Sequence, residues 1–293
     1  MKKILSFDIG GTKIAYAVIN DKGEFFTKVS KQSTPKTAEG IAALLRETIS
    51  KYEQEIDGVA ISTAGAVNNA NTGIINNPGN LPEGYGQTDF QGLSSKPVFV
   101  ENDANSAGWA EYVLGAAKGM RNTVVLTLGT GVGAGIIIDG CLLKGKSGGA
   151  GEMHFKIDCQ HRMCTCGLED CLEAYVSGNG LAAEARISFA DKNATSYDVI
   201  EGLKNNNPAA REAFDRWQGH LLDGLIAVGN LFDPEIVVLS GSLAQFVEYE
   251  KLEKIANERI LTEPFKLREA VFKNDAGMLG AAMLMFHKNN TLK

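Results

Sequence analysis

Four of the five cysteines fall within thirteen residues, at 159, 164, 166 and 171, and the fifth is Cys141. Cys164-x-Cys166-Gly167-x-x-x-Cys171 puts three thiolates on one short loop, with His154 ten residues upstream. Three thiolates and an imidazole make a closed tetrahedral donor set, which is the composition of a structural zinc site. The spacing is too tight for a spread disulfide framework. Free structural cysteines are the alternative, and Cys159 and His161 are reserve ligands. A metal here would make folding of the irregular 140–180 segment metal-dependent.

Two glycine turns offer a different chemistry. Gly10-Gly11-Thr12-Lys13 and Gly129-Thr130-Gly131-Val132-Gly133 each sit between two apolar strands. Such turns expose successive backbone N–H groups and form anion nests suited to phosphates. Gly129–Ala134 also matches a dinucleotide fingerprint, but that fingerprint opens a helix, whereas Gly135-Ile136-Ile137-Ile138 continues as a strand. No Walker A motif occurs. Asp8 precedes the first turn and could hold Mg²⁺ through water, or simply cap the turn. Val98-Phe99-Val100-Glu101-Asn102-Asp103 is an apolar strand that ends in polar residues where a helix starts. A carboxylate there can accept the proton of an attacking hydroxyl, and it can equally serve as the helix N-cap.

The elements that must position these groups follow from periodicity. Strands are expected at Ile4–Asp8, Ile14–Ile19, Glu24–Val29, Asp57–Thr63 and Pro97–Glu101, and again at Thr123–Leu128, Ala134–Ile138 and Glu235–Leu239. Helices are expected from Ile41 to Tyr52 and over Ala104–Ala117, Pro208–Leu231 and Ala276–Lys288. The unit of strand, glycine turn, strand and Asp-containing turn recurs about 120 residues after its first appearance. Two copies of one domain plan, facing each other, are the reading. The N-terminal domain would span 1–117 and be joined by the helix 276–293. The second would span 118–275, with the cysteine-bearing insertion at about 140–180.

Over 293 residues the chain is 44% apolar and 22% charged, with a formal net charge of −6. That composition is globular, and the acidic balance argues against nonspecific nucleic-acid binding. Met1–Asp8 meets a carboxylate before any stretch of signal-peptide length. The longest apolar-rich region, Leu221–Phe232, is interrupted by Asp223 and Asn230 and is too short to cross a bilayer. A cytoplasmic protein with no membrane partner is expected.

Asp8-Ile9-Gly10-Gly11-Thr12-Lys13 together with Leu128-Gly129-Thr130-Gly131-Val132-Gly133 resembles the ROK family of sugar kinases and repressors. The likeness runs from about Lys3 to Met285. It implies an α/β fold of two RNase-H-like (actin/sugar kinase ATPase) domains with a cleft between them. It implies Mg-ATP as cofactor, with Asp8, Gly10, Gly11, Thr12, Lys13, Gly129, Thr130, Gly131 and Gly133 on the nucleotide. Gly241, in the similar run Asp233–Gly241, joins them on the adenosine side. The Asn102-Asp103 pair would bind sugar, with Asp103 as the catalytic base. Ser62-Thr63-Ala64-Gly65 and Asn80-Leu81-Pro82 resemble substrate turns and bring Gly65 and Asn80 to the sugar, and Cys171-Leu172-Glu173 brings Glu173. Zinc would be held by His154, Cys164, Cys166 and Cys171, and the second ring nitrogen of His154 could face the sugar. Glu152 is a further sugar contact, although Gly151-Glu152-Met153-His154 is one residue shorter than the usual Gly-Glu-x-Gly-His. Asp170 stands where the family usually has glycine.

The implied reaction is phosphorylation of a hexose-type sugar at its 6-hydroxyl, with glucose or N-acetylmannosamine as the leading substrates. Fructose or a β-glucoside is the alternative. A sugar-sensing regulator would carry an added DNA-binding module, for which the strand beginning at Lys3 leaves no room, and the acidic balance agrees. An actin-like ATPase is disfavoured by the Asn-Asp pair and the cysteine loop. Homodimers are common in the family.

Overall fold

The computed structural model describes residues 1–76 and 79–291. The chain divides into two compact units, one of Met1–Gly119, Gly135–Gly151 and Asn274–Lys293, the other of Met120–Ala134 and Glu152–Lys273. The first sheet has the order β3-β2-β1-β4-β5. Its strands are β1 (Lys3–Ile9), β2 (Lys13–Asn20), β3 (Ser30–Ser33), β4 (Gly58–Thr63) and β5 (Val98–Asn102). The second, β8-β7-β6-β9-β10, follows the same plan strand for strand. It comprises β6 (Thr123–Leu128), β7 (Val132–Ile138), β8 (Cys141–Leu142), β9 (Ile236–Ser240) and β10 (Lys266–Glu269). The repeat read from the two glycine hairpins is therefore a repeat of whole sheets.

Central strands are apolar almost throughout because both of their faces are covered. Ile4, Leu5, Phe7 and Ile9 of β1 are all buried, as is every residue of β4. One face packs on α1 (Ala38–Tyr52), through Ile41, Leu45 and Ile49. Thr37 caps this helix by accepting the Gly40 N–H at 3.1 Å. In the same unit α8 (Ala276–Thr291) packs on β1 and β4 and runs against α2 (Asp103–Val113). The second unit carries α3 (Leu172–Val176), α4 (Gly178–Ser188), α5 (Ser196–Lys204), α6 (Pro208–Phe232) and α7 (Tyr249–Asn257). Pro208 begins α6 where its missing N–H costs nothing, and Asp233 closes it in a left-handed conformation. Among the described residues, no helix is long and apolar enough to cross a membrane.

Two expected elements differ. Residues 24–29 make only an isolated bridge, Ile19 to Phe25, because Thr27 Oγ1 accepts the Val18 N–H that a strand carbonyl would have taken. The third strand forms after it, at Ser30–Ser33. The helix expected to reach Ala117 ends at Val113, where the buried Glu111 carboxylate accepts the Ala116 N–H.

A buried ionic cluster fastens the cysteine-bearing segment to α4 and α6. Glu184, 1% exposed, accepts from Arg162 and Arg216 and faces His220 at 3.4 Å. Burial alone would raise its pKa, but His220, Arg216 and Arg162 outweigh burial and bring it down to about 2. A depressed carboxylate contributes stability above its unfolded value, and that contribution is lost as pH falls through the folded one. Glu184→Gln should therefore destabilise the protein by roughly 3 kcal/mol at neutral pH. In urea titrations at stepped pH the gap should narrow between about pH 4.5 and about 2. Within the first unit α8 comes so close to α2 that a Cβ on Gly280 would lie 1.6 Å from the Ser106 carbonyl oxygen. Backbone cannot yield as a side chain can, so Gly280→Ala should cost about 3 kcal/mol in thermal or urea unfolding.

Candidate functional site

In the first unit β1, β4 and β5 run parallel, with Ile9 beside Thr63 and Thr63 beside Asn102. The residues that follow each strand therefore share one edge of the sheet: Gly10–Thr12, Ala64–Gly65 and Asp103. Ligands of open α/β sheets collect at this carboxyl edge. In the first turn the Gly10 N–H closes on the Lys13 carbonyl at 3.0 Å. Among the described residues, the Gly11 and Thr12 N–H groups have no protein acceptor. Asp8 is half-buried and accepts from Ser62 Oγ at 2.9 Å. Burial raises its pKa, Ser62 and Lys13 oppose that rise, and Asp275 adds to it. The first turn of α8 covers this pair, since a Cβ on Gly277 would fall 2.6 Å from Asp8 Oδ1. A partly buried carboxylate with Ser62 as its hydrogen-bond donor is one that a cation would relieve.

Asn102, not Asp103, is the N-cap of α2: its Oδ1 accepts the Asn105 N–H at 3.0 Å. Its amide nitrogen donates to the Gly65 carbonyl at 3.1 Å and to Asp103 Oδ1 at 3.2 Å. Asp103 is exposed at the first helical position, and Oδ1 also accepts the Ala104 N–H at 2.8 Å. With capping assigned to its neighbour, Asp103 presents an oriented carboxylate at the strand edge. Gly65 has φ of +94°, which suits glycine, and it serves Asn102 through its carbonyl. Asn80 is exposed, and its backbone carbonyl sits against Gly11 so closely that a Cβ there would be 2.5 Å away.

The second unit repeats the turn. The Gly129 N–H closes on the Gly131 carbonyl at 3.0 Å, and Thr130 and Gly131 keep N–H groups with no protein acceptor among the described residues. The Val132 N–H is bound by Glu173 Oε2 at 3.0 Å and the Gly133 N–H by Thr127 Oγ1 at 3.2 Å. Thr130 and Gly131 thus form the open nest. Thr127 pairs with Ser240, which places Gly241, at φ of +93°, beside the same strand end. The N-terminus of α4 abuts the turn, where the Gly178 N–H donates to the Gly129 carbonyl at 2.8 Å and Asn179 Nδ2 to Thr130 at 3.3 Å. The partial positive charge of that helix end favours an anion.

His154, Cys164, Cys166 and Cys171 come together, their ligand atoms all within 4.8 Å of one another. Cys166 Sγ lies 3.5 Å from Cys171 Sγ, and Cys164 Sγ lies 3.6 Å from His154 Nδ1. A tetrahedron with metal–sulfur bonds of about 2.3 Å has edges of about 3.8 Å, so the donor set fits zinc. Burial raises Cys164 and pushes Cys171 up to about 12, with the Cys166 thiol adding to the latter. Burial also works against Cys166, but the Leu168 N–H and the neighbouring thiols bring it down. Metal binding there would have to displace protons. Cys159 and His161 lie outside this set.

Glu152 Oε2 lies 3.5 Å from His154 Nε2, so the short Gly151–His154 run turns this carboxylate onto the ring nitrogen facing away from the thiols. Carboxylates behind metal-bound imidazoles set ring orientation and basicity. Glu173 spans two features, because Oε1 accepts from Thr165 at 2.6 Å while Oε2 holds the glycine turn. Asp170 has φ of +61° and binds the Arg162 N–H at 2.9 Å, the Tyr175 hydroxyl and Lys156. It keeps the backbone shape that glycine would allow and adds a staple across the loop. The sequence offers Ser62 only as part of a substrate-like turn and gives no role to Thr165 or the α4 N-terminus. Only the Ser177-Gly178 pair, a cap beside a glycine, hinted at any of them.

The model of the ROK family matches residues 4–288. A glucokinase of Streptomyces coelicolor is 34% identical, over 82% of this chain and 82% of its own. An N-acetylmannosamine kinase of Yersinia pestis is 31% identical, over 97% of this chain and 98% of its own. The crystal structure of a ROK hexokinase from Thermus thermophilus superposes with a TM-score of 0.85 at 31% identity, covering 99% of both chains. With residues 4–288 matched by the family model, the chain belongs to the ROK family.

Proposed function

We infer that the protein is an ATP-dependent kinase of a hexose-type sugar, with glucose and N-acetylmannosamine as the favoured acceptors and the 6-hydroxyl as the group phosphorylated. The observation that carries this reading is the shared edge of β1, β4 and β5, which aligns the Gly10–Thr12 turn, the half-buried Asp8 and the Asn102-Asp103 pair. Relatives named glucokinase and N-acetylmannosamine kinase supply the two leading sugars. Phosphoryl transfer asks little of a protein beyond position and charge. Asp103 would accept the proton of the attacking hydroxyl as the bond to phosphorus forms. Asn102 orients that carboxylate, and Gly65 orients Asn102. The open N–H groups at Gly11, Thr12, Thr130 and Gly131 would bind phosphate oxygens of ATP. Asp8 would hold Mg²⁺ through water, and that ion would offset phosphate charge. Gly133 contributes shape to its turn, since its N–H is already bonded to Thr127.

His154, Cys164, Cys166 and Cys171 would hold a structural zinc, and Glu152 would orient His154. Through Thr165 and Glu173 the cysteine loop supports the second nest at Val132. Cys166→Ser should lose zinc, read as metal content of the purified protein, with a lower melting temperature and weaker sugar binding. Zinc content equal to wild type would refute the assignment.

The decisive assay is coupled ADP release with Mg-ATP across glucose, N-acetylmannosamine, N-acetylglucosamine, mannose, fructose and a β-glucoside. One sugar should drive turnover, and Asp103→Asn should lower kcat by about 10³-fold, within the range of lost general-base catalysis. Sugar-independent turnover, or none, would return the chain to the class of ATPases or sugar-binding regulators.

A further inference from the structure

One buried carboxylate next to the acceptor pair has no part in the reaction described so far. Glu101 is 1% exposed and ends the apolar run of β5. Its Oε1 accepts the Asn102 N–H at 2.9 Å and Asn105 Nδ2 at 3.2 Å. Its Oε2 accepts Asn71 Nδ2 at 2.8 Å and Lys144 Nζ at 2.7 Å. These four donors satisfy the lone-pair sites of the carboxylate, and they come from the strand end, α2, the 68–72 loop and the segment after β8.

Two of these donors, Asn71 and Lys144, are themselves held. Asn71 has φ of +61°, and its Nδ2 also donates to the Val100 carbonyl at 2.8 Å. Lys144 also donates to the Asn68 carbonyl at 3.2 Å. Asn69 Nδ2 binds the carbonyls of Gly145 and Lys146 at 3.0 and 2.9 Å, and a Cβ on Gly148 would be 1.8 Å from the Val67 carbonyl oxygen. The 66–72 loop and the 144–149 segment are thus docked against each other, with the ion pair at their junction. Its side chains are 16% and 1% exposed, so water screens it little.

From the pair a continuous set of bonds leads to the reacting group. Lys144 holds Glu101, Glu101 holds the Asn102 N–H, and the Asn102 amide holds Asp103 Oδ1. We propose that Glu101 and Lys144 are positioning residues that set where the Asp103 carboxylate stands, without touching sugar or nucleotide. This rests on the kinase reading above. An interior charge left without its partner forces its surroundings to rearrange. A displacement of about 1 Å at a reacting group can cost on the order of 10²-fold in rate.

The test is steady-state kinetics of the full chain with Mg-ATP and with glucose or N-acetylmannosamine, on wild type, Lys144→Met, Lys144→Arg and Glu101→Gln. Lys144→Met should lower kcat about 10- to 100-fold, with KM for Mg-ATP unchanged within about twofold. The acid limb of its kcat–pH profile should move, because the surroundings of the base have changed. Lys144→Arg, which keeps the charge, should recover most of the loss. Glu101→Gln keeps the shape but turns an amide donor toward existing donors, and should lower kcat at least tenfold. If Lys144→Met shows no cooperative melting, Glu101→Gln and Lys144→Arg carry the test. The proposal is overturned by folded Lys144→Met or Glu101→Gln with kcat within twofold of wild type. It is equally overturned by kcat losses in Lys144→Arg as large as those in Lys144→Met, or by an unmoved acid limb. A wild type inactive on both sugars would instead overturn the reading on which the proposal rests, and the proposal with it.

Discussion

Ile9, Thr63 and Asn102 stand side by side because β1, β4 and β5 pair parallel in one register, and the polar residues lie at or one step beyond those ends. Strands about 4.8 Å apart put the first glycine turn and Asp103 roughly 10 Å from each other at the backbone. A slip of one residue in either ladder would carry Asp8 or Asp103 to the opposite face of the sheet. The apolar side chains of β1 and β4, buried on both faces, make such a slip expensive. Burial of hydrocarbon is therefore what aligns the charged groups. The same logic places Leu128, just before the second glycine turn, beside Gly241.

Within that frame, polar groups are divided by use. In each glycine turn the first N–H closes the turn and the next two have no protein acceptor among the described residues. The N–H groups that follow in the second turn are taken up by Glu173 and Thr127. Asn102 spends its side chain on the helix cap, on Gly65 and on Asp103, which frees Asp103 from the cap. Asp8 is half-buried between Ser62 and the first turn of α8, where burial raises its pKa and a divalent ion would relieve it.

Polar contacts tie the cysteine-bearing segment to its surroundings. Asp170 staples its two sides, Glu184 ties it through Arg162 to α4 and α6, and Thr165 connects it to the glycine turn through Glu173. A tetrahedral metal would complete this set of restraints where Cys164, Cys166 and Cys171 face His154.

Local pattern was enough for the two glycine hairpins, for α1 and α6, and for the clustering of His154 with three cysteines, because apolar period, turn glycines and close ligand spacing are all short-range properties. It was not enough where a side chain competes with the backbone. Thr27 dissolves the expected strand at 24–29, and Glu111 ends α2 early. Neither residue type announces that choice. Nor could the sequence show that Glu152 turns to His154, or that Asp170 keeps a glycine-like backbone while binding Tyr175. The pairing of Glu101 with Lys144 joins residues 43 apart, and Ser62 meets Asp8 across 54. Such contacts exist only once sheet register and loop docking have brought distant segments together. Residue types and their order thus determined which chemistry the chain carries, and tertiary structure alone decided which neighbour each polar group serves. A donor or acceptor is committed by proximity, and proximity between distant residues is a product of the folded sheet.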